Sequence, residues 1–323
     1  MKLIFRLIAT VFMGLCLAAS VHAQGSWPEK PIHFIVPVPP GQSVDILARL
    51  LAEKLRPALG QAIVVENRPG AGAMLGTAYA AKQPADGYSF LLAGAGSLSI
   101  SPHMYKIDYD PLKDFAMINR LATFPMLISV NADLPVKTIP EFGAHSKAKP
   151  RTVTYSSSGV GSTQHLIMAM FAAASGADMT HIPYKGSAGS MTDVIGGQIS
   201  SLADTIPVLA PNVKSGRLRA LGITSIKRSP FMPEIPTLDE QGVTGFDVAS
   251  WAGILAPAGT PTAIQDRMNA EVRKFLRDPE VQKRFQELGM APIEESRAAA
   301  VEFLKKDVVM WGAAVKTSGA RAP

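Results

Sequence analysis

Short apolar runs alternate with amphipathic stretches along most of this chain, and this alternation restricts the fold more than any other feature. The run IHFIVPV at 32–38 has the length and composition of a buried strand. The segment Ser43–Leu59 that follows places aliphatic residues between Ile46 and Leu55 on one face of a helix. Strands that alternate with helices in this way predict an α/β fold with a mostly parallel sheet.

The same alternation continues to the carboxyl end of the chain. Further strands are predicted at 62–67, 88–94, 152–157, 181–184, 200–204 and 218–224. Further helices are predicted after Gly76, at Thr163–Ala174, Ser190–Ile195 and Pro207–Ser215, and from Thr262 onward. The final helical region is expected to break at Asp278-Pro279 and near Pro292, because proline cannot continue a helix.

Two long extended runs interrupt this pattern, at 118–135 and at 246–261. About 300 residues are more than one core comfortably holds, so two lobes are expected. We interpret the two runs as crossings between a first lobe, 24–123 with 251–323, and a second lobe, 124–250. Two hinged lobes with a central cleft are a common arrangement for clamping a ligand.

Residues 1–23 have the order of a secretory signal peptide, with Lys2 and Arg6 before an apolar core and Val21-His22-Ala23 at the end. The apolar core is shorter than a membrane span requires. Cleavage after Ala23 would remove Cys16, the only cysteine. We therefore predict an exported protein without disulfides or a thiol nucleophile.

Composition and motifs argue against several functions. Removing Lys2 and Arg6 lowers the formal charge from +6 to +4, and the remaining basic residues are scattered, so no nucleic-acid partner is expected. The histidines are isolated, which predicts no metal site. No G-x-S-x-G or P-loop motif occurs, and we interpret the glycines of Arg68–Gly76 as a flexible turn, so no cofactor or catalytic residue is predicted.

Three predicted turns between a strand and a helix share a composition of Gly, Ser and Pro: 39–45, 156–165 and 184–191. Each would present unpaired backbone N–H groups at a helix N-terminus, which is a favourable place for an anion. Ordinary helix capping explains each turn taken singly. Together, on opposite sides of a cleft, the three turns could hold a carboxylate without arginine.

Serine or threonine is the expected N-cap in each turn. The candidates are Ser43 in the first turn, Ser162 or Thr163 in the second, and Ser187 or Ser190 in the third.

The stretches KPIHFIVPVPPGQSVDILAR, YSSSGVGSTQHL, HIPYKGSAGSMTDVIGGQI and WAGILAPAGTP, in this order and spacing, resemble Bug-type periplasmic solute-binding proteins. These are the extracytoplasmic receptors of tripartite tricarboxylate transporters. The resemblance covers nearly the whole chain after residue 23. It implies a two-lobed α/β periplasmic-binding-protein fold, a periplasmic monomer, a small carboxylate ligand and membrane permease subunits as partners. The ligand classes implied are di- and tricarboxylates, acidic amino acids and aromatic acids.

The resemblance also implies which residues bind the ligand. They are Gly41, Gln42, Ser43 and Asp45 in the first turn; Ser157, Ser158, Gly159, Gly161, Ser162, Thr163 and His165 in the second; Gly186, Ser187 and Ala188 in the third; and Asp204. Backbone N–H groups around Gly41–Ser43 and Gly159–Thr163 would clamp a carboxylate, and the hydroxyls of Ser158, Ser162 and Thr163 would add donors.

Three residues leave alternatives open, and a fourth departs from the family pattern. Asp45 lies in the first turn of a helix, where an acid suits the helix dipole, so a structural role is favoured over ligand contact. Asp204 either contacts a ligand hydroxyl, amine or bridging water, or caps the next helix. Gln42 replaces a glycine that is usual in the family, and it either meets the ligand or points to solvent. Ala203 replaces an aromatic residue, which would enlarge the pocket.

The alternatives to transport are a secreted α/β enzyme acting on carboxylates or esters, and a binding protein that presents its ligand to a sensor.

Overall fold

The computed structural model describes residues 27–184 and 186–321, and the predicted signal peptide lies outside them. The described strands are β1 Ile32–Val36, β2 Ile63–Asn67, β3 Ser89–Gly94, β4 Phe115–Asn131, β5 Thr154–Ser157, β6 Thr180–Pro183, β7 Ser201–Thr205, β8 Leu218–Ile223, β9 Ala249–Pro257 and β10 Ala291–Pro292.

The helices are α1 Ser43–Leu59, α2 Met74–Ala81, α3 Ser101–Met104, α4 Ile139–Ala148, α5 Thr163–Ser175, α6 Ser187–Ile195, α7 Ile206–Lys214, α8 Thr262–Arg277, α9 Pro279–Glu287 and α10 Arg297–Ser318. A 3₁₀ turn at Ala71–Ala73 precedes α2, and a π-helical turn at Gly96–Ile100 precedes α3. In this part of the chain, none of the helices has both the length and the apolar character that crossing a bilayer demands.

The predicted succession of strands and helices is confirmed. Helix α1 has the predicted bounds, whereas α6 begins three residues before the predicted Ser190. The helical tail breaks at Asp278, whose carboxylate accepts the backbone N–H of Glu280 at 2.8 Å and so caps α9. Short-range periodicity and capping chemistry are enough to determine these elements.

The sheet differs from the mostly parallel one that the sequence predicts. Its order is β2-β1-β3-β9-β4-β7-β5-β6, with β8 and β10 also pairing with β4. The outer pairs β1–β2, β1–β3, β5–β6 and β5–β7 are parallel. All pairs of β4, and the pair β3–β9, are antiparallel. The expectation of a mostly parallel sheet is wrong at the centre, because the two long runs enter the sheet there as strands rather than passing beside it.

Strand β4 joins the two halves of the sheet. Its first part, Phe115–Pro125, pairs with β9, and its second part, Met126–Asn131, pairs with β7 and β8. The extended character predicted for both crossing runs is confirmed by β4 and β9. The exact lobe boundaries stay a prediction, and the change of partners after Pro125 lies close to one of them.

Helix α1 is held on the sheet by its apolar face. Leu47, Leu51 and Leu55 are buried and belong to one core cluster with Phe34 and Phe90. Full burial of a leucine stabilises by about 1.5–3 kcal/mol, so these three contacts fix the helix axis firmly. The N-terminus of α1 is thereby held next to the end of β1, where the first predicted turn lies.

Helix α5 is anchored in the same way in the second half of the sheet. Leu166, Ile167 and Phe171 are buried, and the ring of Phe171 stacks on that of Phe142 with centroids 5.9 Å apart. This packing fixes the N-terminus of α5 and, with it, the second predicted turn.

Candidate ligand-binding site

Two adjoining cavities separate the first and second predicted turns. Their volumes are about 320 and 650 Å³, within the range of about 300–1,000 Å³ that is usual for ligand pockets. The two cavities form one space, which we call the cleft, because eight residues line both of them. These shared residues are Pro37, Val38, Gln42, Ala73, Gly96, Thr163, Gln164 and Ser250.

Asp45 organises the first turn. It is buried, and its carboxylate accepts the Gly41 N–H at 2.8 Å, the Asn67 side-chain amide at 2.8 Å and Arg49 Nε at 3.0 Å. Burial raises the pKa of Asp45, but the hydrogen bonds from Arg49, Gly41 and Asn67 outweigh it, so the net pKa is lowered. The structural role favoured for Asp45 is confirmed, while ligand contact by Asp45 stays a prediction.

The prediction that Ser43 caps α1 is wrong. The chain turns at Gly41, with φ 85°, and Gln42 is extended, so Gln42 occupies the N-cap position and Ser43 is already helical. No side chain caps this end of the helix in the described structure. The first amides of a helix have no intrahelical acceptor, and Ser43 and Val44 line the cleft, so their N–H groups are available to a ligand. Gln42 is exposed and lines both cavities.

Ser162 caps α5, as one of the two alternatives predicted, by accepting the His165 N–H at 3.3 Å. Three amides of the turn already have acceptors. The Gly159 N–H reaches Ser157 Oγ at 3.2 Å, the Gly161 N–H reaches His165 Nδ1 at 3.1 Å, and the Ser162 N–H reaches the Gly159 carbonyl at 3.2 Å.

Thr163 and Gln164, the first two residues of α5, have amides without an intrahelical acceptor, and both residues line the cleft. Ser158 and Val160 of the same turn line the cleft as well. Ligand binding by the amides of Gly159–Thr163 stays a prediction.

Two stacked imidazoles lie next to the second turn, and one of them is hydrogen-bonded to it. The rings of His165 and His181 lie 3.7 Å apart and nearly parallel, and Tyr155 stacks on both. Burial lowers the pKa of His165 to about 4, and burial together with His165 lowers the pKa of His181 to about 4. Because Nδ1 of His165 accepts the Gly161 N–H, the neutral ring is the form that holds the turn.

The predicted N-caps of the third turn, Ser187 and Ser190, are both wrong. Gly186 occupies the N-cap of α6 with φ 124°, a conformation that favours glycine over serine. The Ser190 hydroxyl instead donates to Ser156 Oγ at 2.7 Å in the core. Ser187 Oγ accepts a hydrogen bond from Gln164 Nε2 at 3.1 Å, so the third turn is linked through Gln164 to the cleft lining.

Gln164 is a site residue that the sequence interpretation missed, although it lies inside the predicted second turn. Its Oε1 accepts the Ser158 hydroxyl at 2.6 Å, and its Nε2 donates to Asp204 Oδ2 at 3.3 Å. Asp204 also accepts the Thr205 N–H at 2.7 Å. The position of Gln164 as the second residue of a helix that faces an anion site was the available signal.

Several cleft residues lie in strands, or directly after them, that the sequence interpretation did not assign to the site. They are Gly94 at the end of β3 with Ala95, Gly96 and Ser97 after it, Phe124 and Met126 in β4, and Ser250 and Trp251 in β9. The stretch GAGSL after β3 repeats the pattern of the other turns, strand then glycine then helix, and could have been recognised. The β4 and β9 residues depend on the sheet order and left no local signal.

The predicted residues divide into two groups by position. Those that line the cleft are Gln42, Ser43, Ser158, Gly159, Gly161, Ser162, Thr163 and Asp204. Those that lie behind or beside the lining are Gly41, Asp45, Ser157, His165, Gly186, Ser187 and Ala188. The second group shapes the turns, as Asp45, Ser157 and His165 illustrate.

Within residues 27–184 and 186–321, Asp204 is the one formally charged residue that lines the cleft. Over the same residues, no three His, Cys, Asp or Glu side chains gather into a group that could hold a metal ion. The polar groups that the cleft offers besides Asp204 are therefore uncharged amides and hydroxyls.

Solved structures with this architecture are periplasmic binding proteins. The chain is similar to the periplasmic binding protein BugD, with 36% identity, a TM-score of 0.74, and coverage of 91% of this chain and 99% of that one. It is also similar to Rpa4515 of R. palustris with adipate, with 34% identity, a TM-score of 0.79, and coverage of 91% and 99%. The fold of this chain is thus that of the periplasmic solute-binding proteins.

The relatives narrow the class to a family. Residues 47–320 match the tripartite tricarboxylate transporter family receptor model. Protein BugT of Bordetella pertussis is 33% identical over 324 aligned positions, which cover 98% of each chain. The chain therefore belongs to the tripartite tricarboxylate transporter receptor family, and the resemblance noted in the sequence is confirmed.

Proposed function

We propose that this protein is an extracytoplasmic receptor that binds a small organic carboxylate in the cleft and delivers it to the membrane subunits of a tripartite tricarboxylate-type permease. The observation that carries the proposal is the pairing of free helix N-termini across the cleft. Ser43 and Val44 line it at the start of α1, and Thr163 and Gln164 line it at the start of α5, where backbone amides have no intrahelical acceptor. A carboxylate between them would accept hydrogen bonds from both sides.

The energetics of such a clamp are adequate. Micromolar affinity requires about 8 kcal/mol. Two helix termini contribute roughly 1–4 kcal/mol together. Several charge-assisted hydrogen bonds of about 1.5–3 kcal/mol each supply the remainder and offset the cost of lobe closure. Exclusion of water by the apolar walls, which include Val38, Phe124 and Trp251, strengthens each of these bonds.

The family favours a receptor over an enzyme, and the cleft chemistry agrees. The Ser157 hydroxyl donates to the Gly159 carbonyl at 2.9 Å and lies 2.7 Å from His181 Nε2, so its proton is directed into the turn rather than toward a substrate. His165 uses Nδ1 to hold Gly161. We therefore propose binding without turnover, by a monomer in the periplasm after cleavage near Ala23.

A thermal-shift screen of the chain without residues 1–23 tests this proposal. Mono-, di- and tricarboxylates, acidic amino acids and aromatic acids are compared, with the matching primary amides as uncharged controls. A ligand at about 100 times its Kd stabilises the folded state by about 2.7 kcal/mol, which raises Tm by about 5 °C. The recovered ligand should be chemically unchanged. A flat response to every acid, or consumption of the bound acid, would refute the proposal.

Closure of the lobes has its own measurement. Trp251 lies in β9 and lines the cleft, so its fluorescence emission should change when a saturating acid binds. Small-angle scattering should show a smaller radius of gyration in the same sample. If neither signal responds to a ligand that raises Tm, binding does not involve closure.

A further inference from the structure

Asp204 is an unusual residue for a site that receives an anion. It is the penultimate residue of β7, close to the start of α7, is only 5% exposed, and lines the cleft. Among the described residues it forms no ion pair with a basic side chain. An acid buried at this position therefore needs its charge compensated by hydrogen bonds.

The protein supplies Asp204 with two donors. The Thr205 N–H reaches Oδ1 at 2.7 Å, and Gln164 Nε2 reaches Oδ2 at 3.3 Å. A carboxylate offers about four lone-pair positions, so roughly two of them remain for a group in the cleft. Gln164 itself is held by the Ser158 hydroxyl at 2.6 Å, which fixes its amide with the N–H side toward Asp204.

Apolar side chains and uncharged polar residues such as Thr163, Gln164 and Ser250 together line the cavity that contains Asp204. Phe124, Met126 and Trp251 line the same cavity and are buried, and Val38 and Val44 line it from the other half of the sheet. No described lysine or arginine lines the cleft. A second carboxylate at this end of a ligand would face Asp204 without a cation between them, and like charges in such a place cost several kcal/mol.

We propose that Asp204, which also accepts a hydrogen bond from Gln164, selects acids whose far end carries a hydrogen-bond donor, a hydroxyl or an amine, over acids that end in a second carboxylate. This inference rests on the proposed function, because it assumes that the helix N-termini hold the first carboxylate. It makes the preferred ligand an ω-hydroxy or ω-amino acid with an apolar body.

A series of six-carbon acids that differ only in the group at the far end tests the proposed selection by Asp204. Adipate is the reference, because the similar R. palustris protein holds it. Hexanoate, 6-hydroxyhexanoate and 6-aminohexanoate keep the chain length and change only the far end. Isothermal titration calorimetry on the chain without residues 1–23 measures the Kd of each acid at pH 7.5. The 6-hydroxy and 6-amino acids should bind at least about tenfold more tightly than adipate.

Two variants should move this preference in opposite directions. Asp204→Asn keeps the size and replaces two acceptor oxygens by one oxygen and an N–H, so adipate should gain at least about tenfold relative to 6-aminohexanoate. Gln164→Ala removes one donor from Asp204 and should increase the preference for the 6-amino acid by several fold, about 3–10 times. Asp178→Asn changes the same charge at an exposed position outside the cleft and should leave the ranking as it is.

Structural damage by a substitution would give a different result, because it would weaken the binding of all four acids in parallel and leave the ratios of their Kd values constant. Adipate as the tightest ligand, with a ranking that Asp204→Asn does not alter, would overturn the selection while the proposed function stands. Binding of no acid in the series or in the wider screen would overturn both.

Discussion

The stacked pair His165 and His181 makes the stability of the second turn depend on pH. Both imidazoles are neutral in the folded protein, because burial lowers the pKa of each to about 4, with the neighbouring His165 adding to the effect at His181. In the unfolded chain a histidine titrates near 6.5. Between these values the unfolded state binds more protons, so the free energy of unfolding falls as the pH is lowered.

The magnitude follows from the size of the change at His165, which is almost fully buried. The contribution of neutral His165 is fully present above pH 6.5 and is lost progressively as the pH falls toward about 4. Each pH unit in this range removes about 1.4 kcal/mol, so the loss from pH 7.5 to pH 5 is about 2 kcal/mol. Protonation would also turn Nδ1 from an acceptor into a donor that opposes the Gly161 N–H.

Urea unfolding of the wild type and of His165→Asn at pH 7.5 and pH 5 measures this loss. The asparagine side-chain oxygen replaces Nδ1 as acceptor but does not titrate. From pH 7.5 to pH 5 the wild type should lose about 2 kcal/mol more than the variant, because the carboxylates contribute equally to both proteins. His145→Asn removes a histidine from α4 and should follow the wild type. An equal loss in wild type and His165→Asn would refute the reasoning.

Three further predictions follow from the contacts around the cleft. Gly161→Ala should lower both the ligand affinity and the free energy of unfolding by about 1–3 kcal/mol. The reason is that Gly161 has a φ of +75° and the new Cβ would lie 2.1 Å from Met104 Sδ. Adding Met104→Ala should recover part of the loss in a double-mutant cycle. Trp251→Phe removes the 2.7 Å hydrogen bond to Asp307, a buried acid whose pKa is raised by burial. Urea unfolding should show a free energy of unfolding lower by about 1–3 kcal/mol, and unchanged stability would contradict this. Gln42→Gly should alter the ranking of ligands in calorimetry more than it alters Tm, and an unchanged ranking would show that Gln42 faces solvent.

Local sequence was sufficient for the elements and for the approximate position of the turns. The burial of Leu47, Leu51 and Leu55 follows from helical periodicity, and the Ser162 cap follows from its chemistry. The N-cap predictions were wrong at two turns in which a glycine with positive φ precedes the helix. At Ser43, the bend at Gly41 places the N-cap one residue earlier than predicted, at Gln42, and at Ser187 the preceding glycine, with positive φ, occupies the N-cap.

An α/β chain in which several helices begin directly after strands is predictable from sequence alone, and so is the lack of a basic cluster in the turns between them. These properties depend on neighbours within a few residues, so periodicity, glycine and capping residues reveal them. Which helix N-termini share the cleft depends on packing, because β4 and β9 enter the centre of the sheet and Ser43 and Thr163 come to line the same cavity. The Gln164–Asp204 hydrogen bond joins residues 40 positions apart, and its geometry exists only once β7 and α5 are packed side by side.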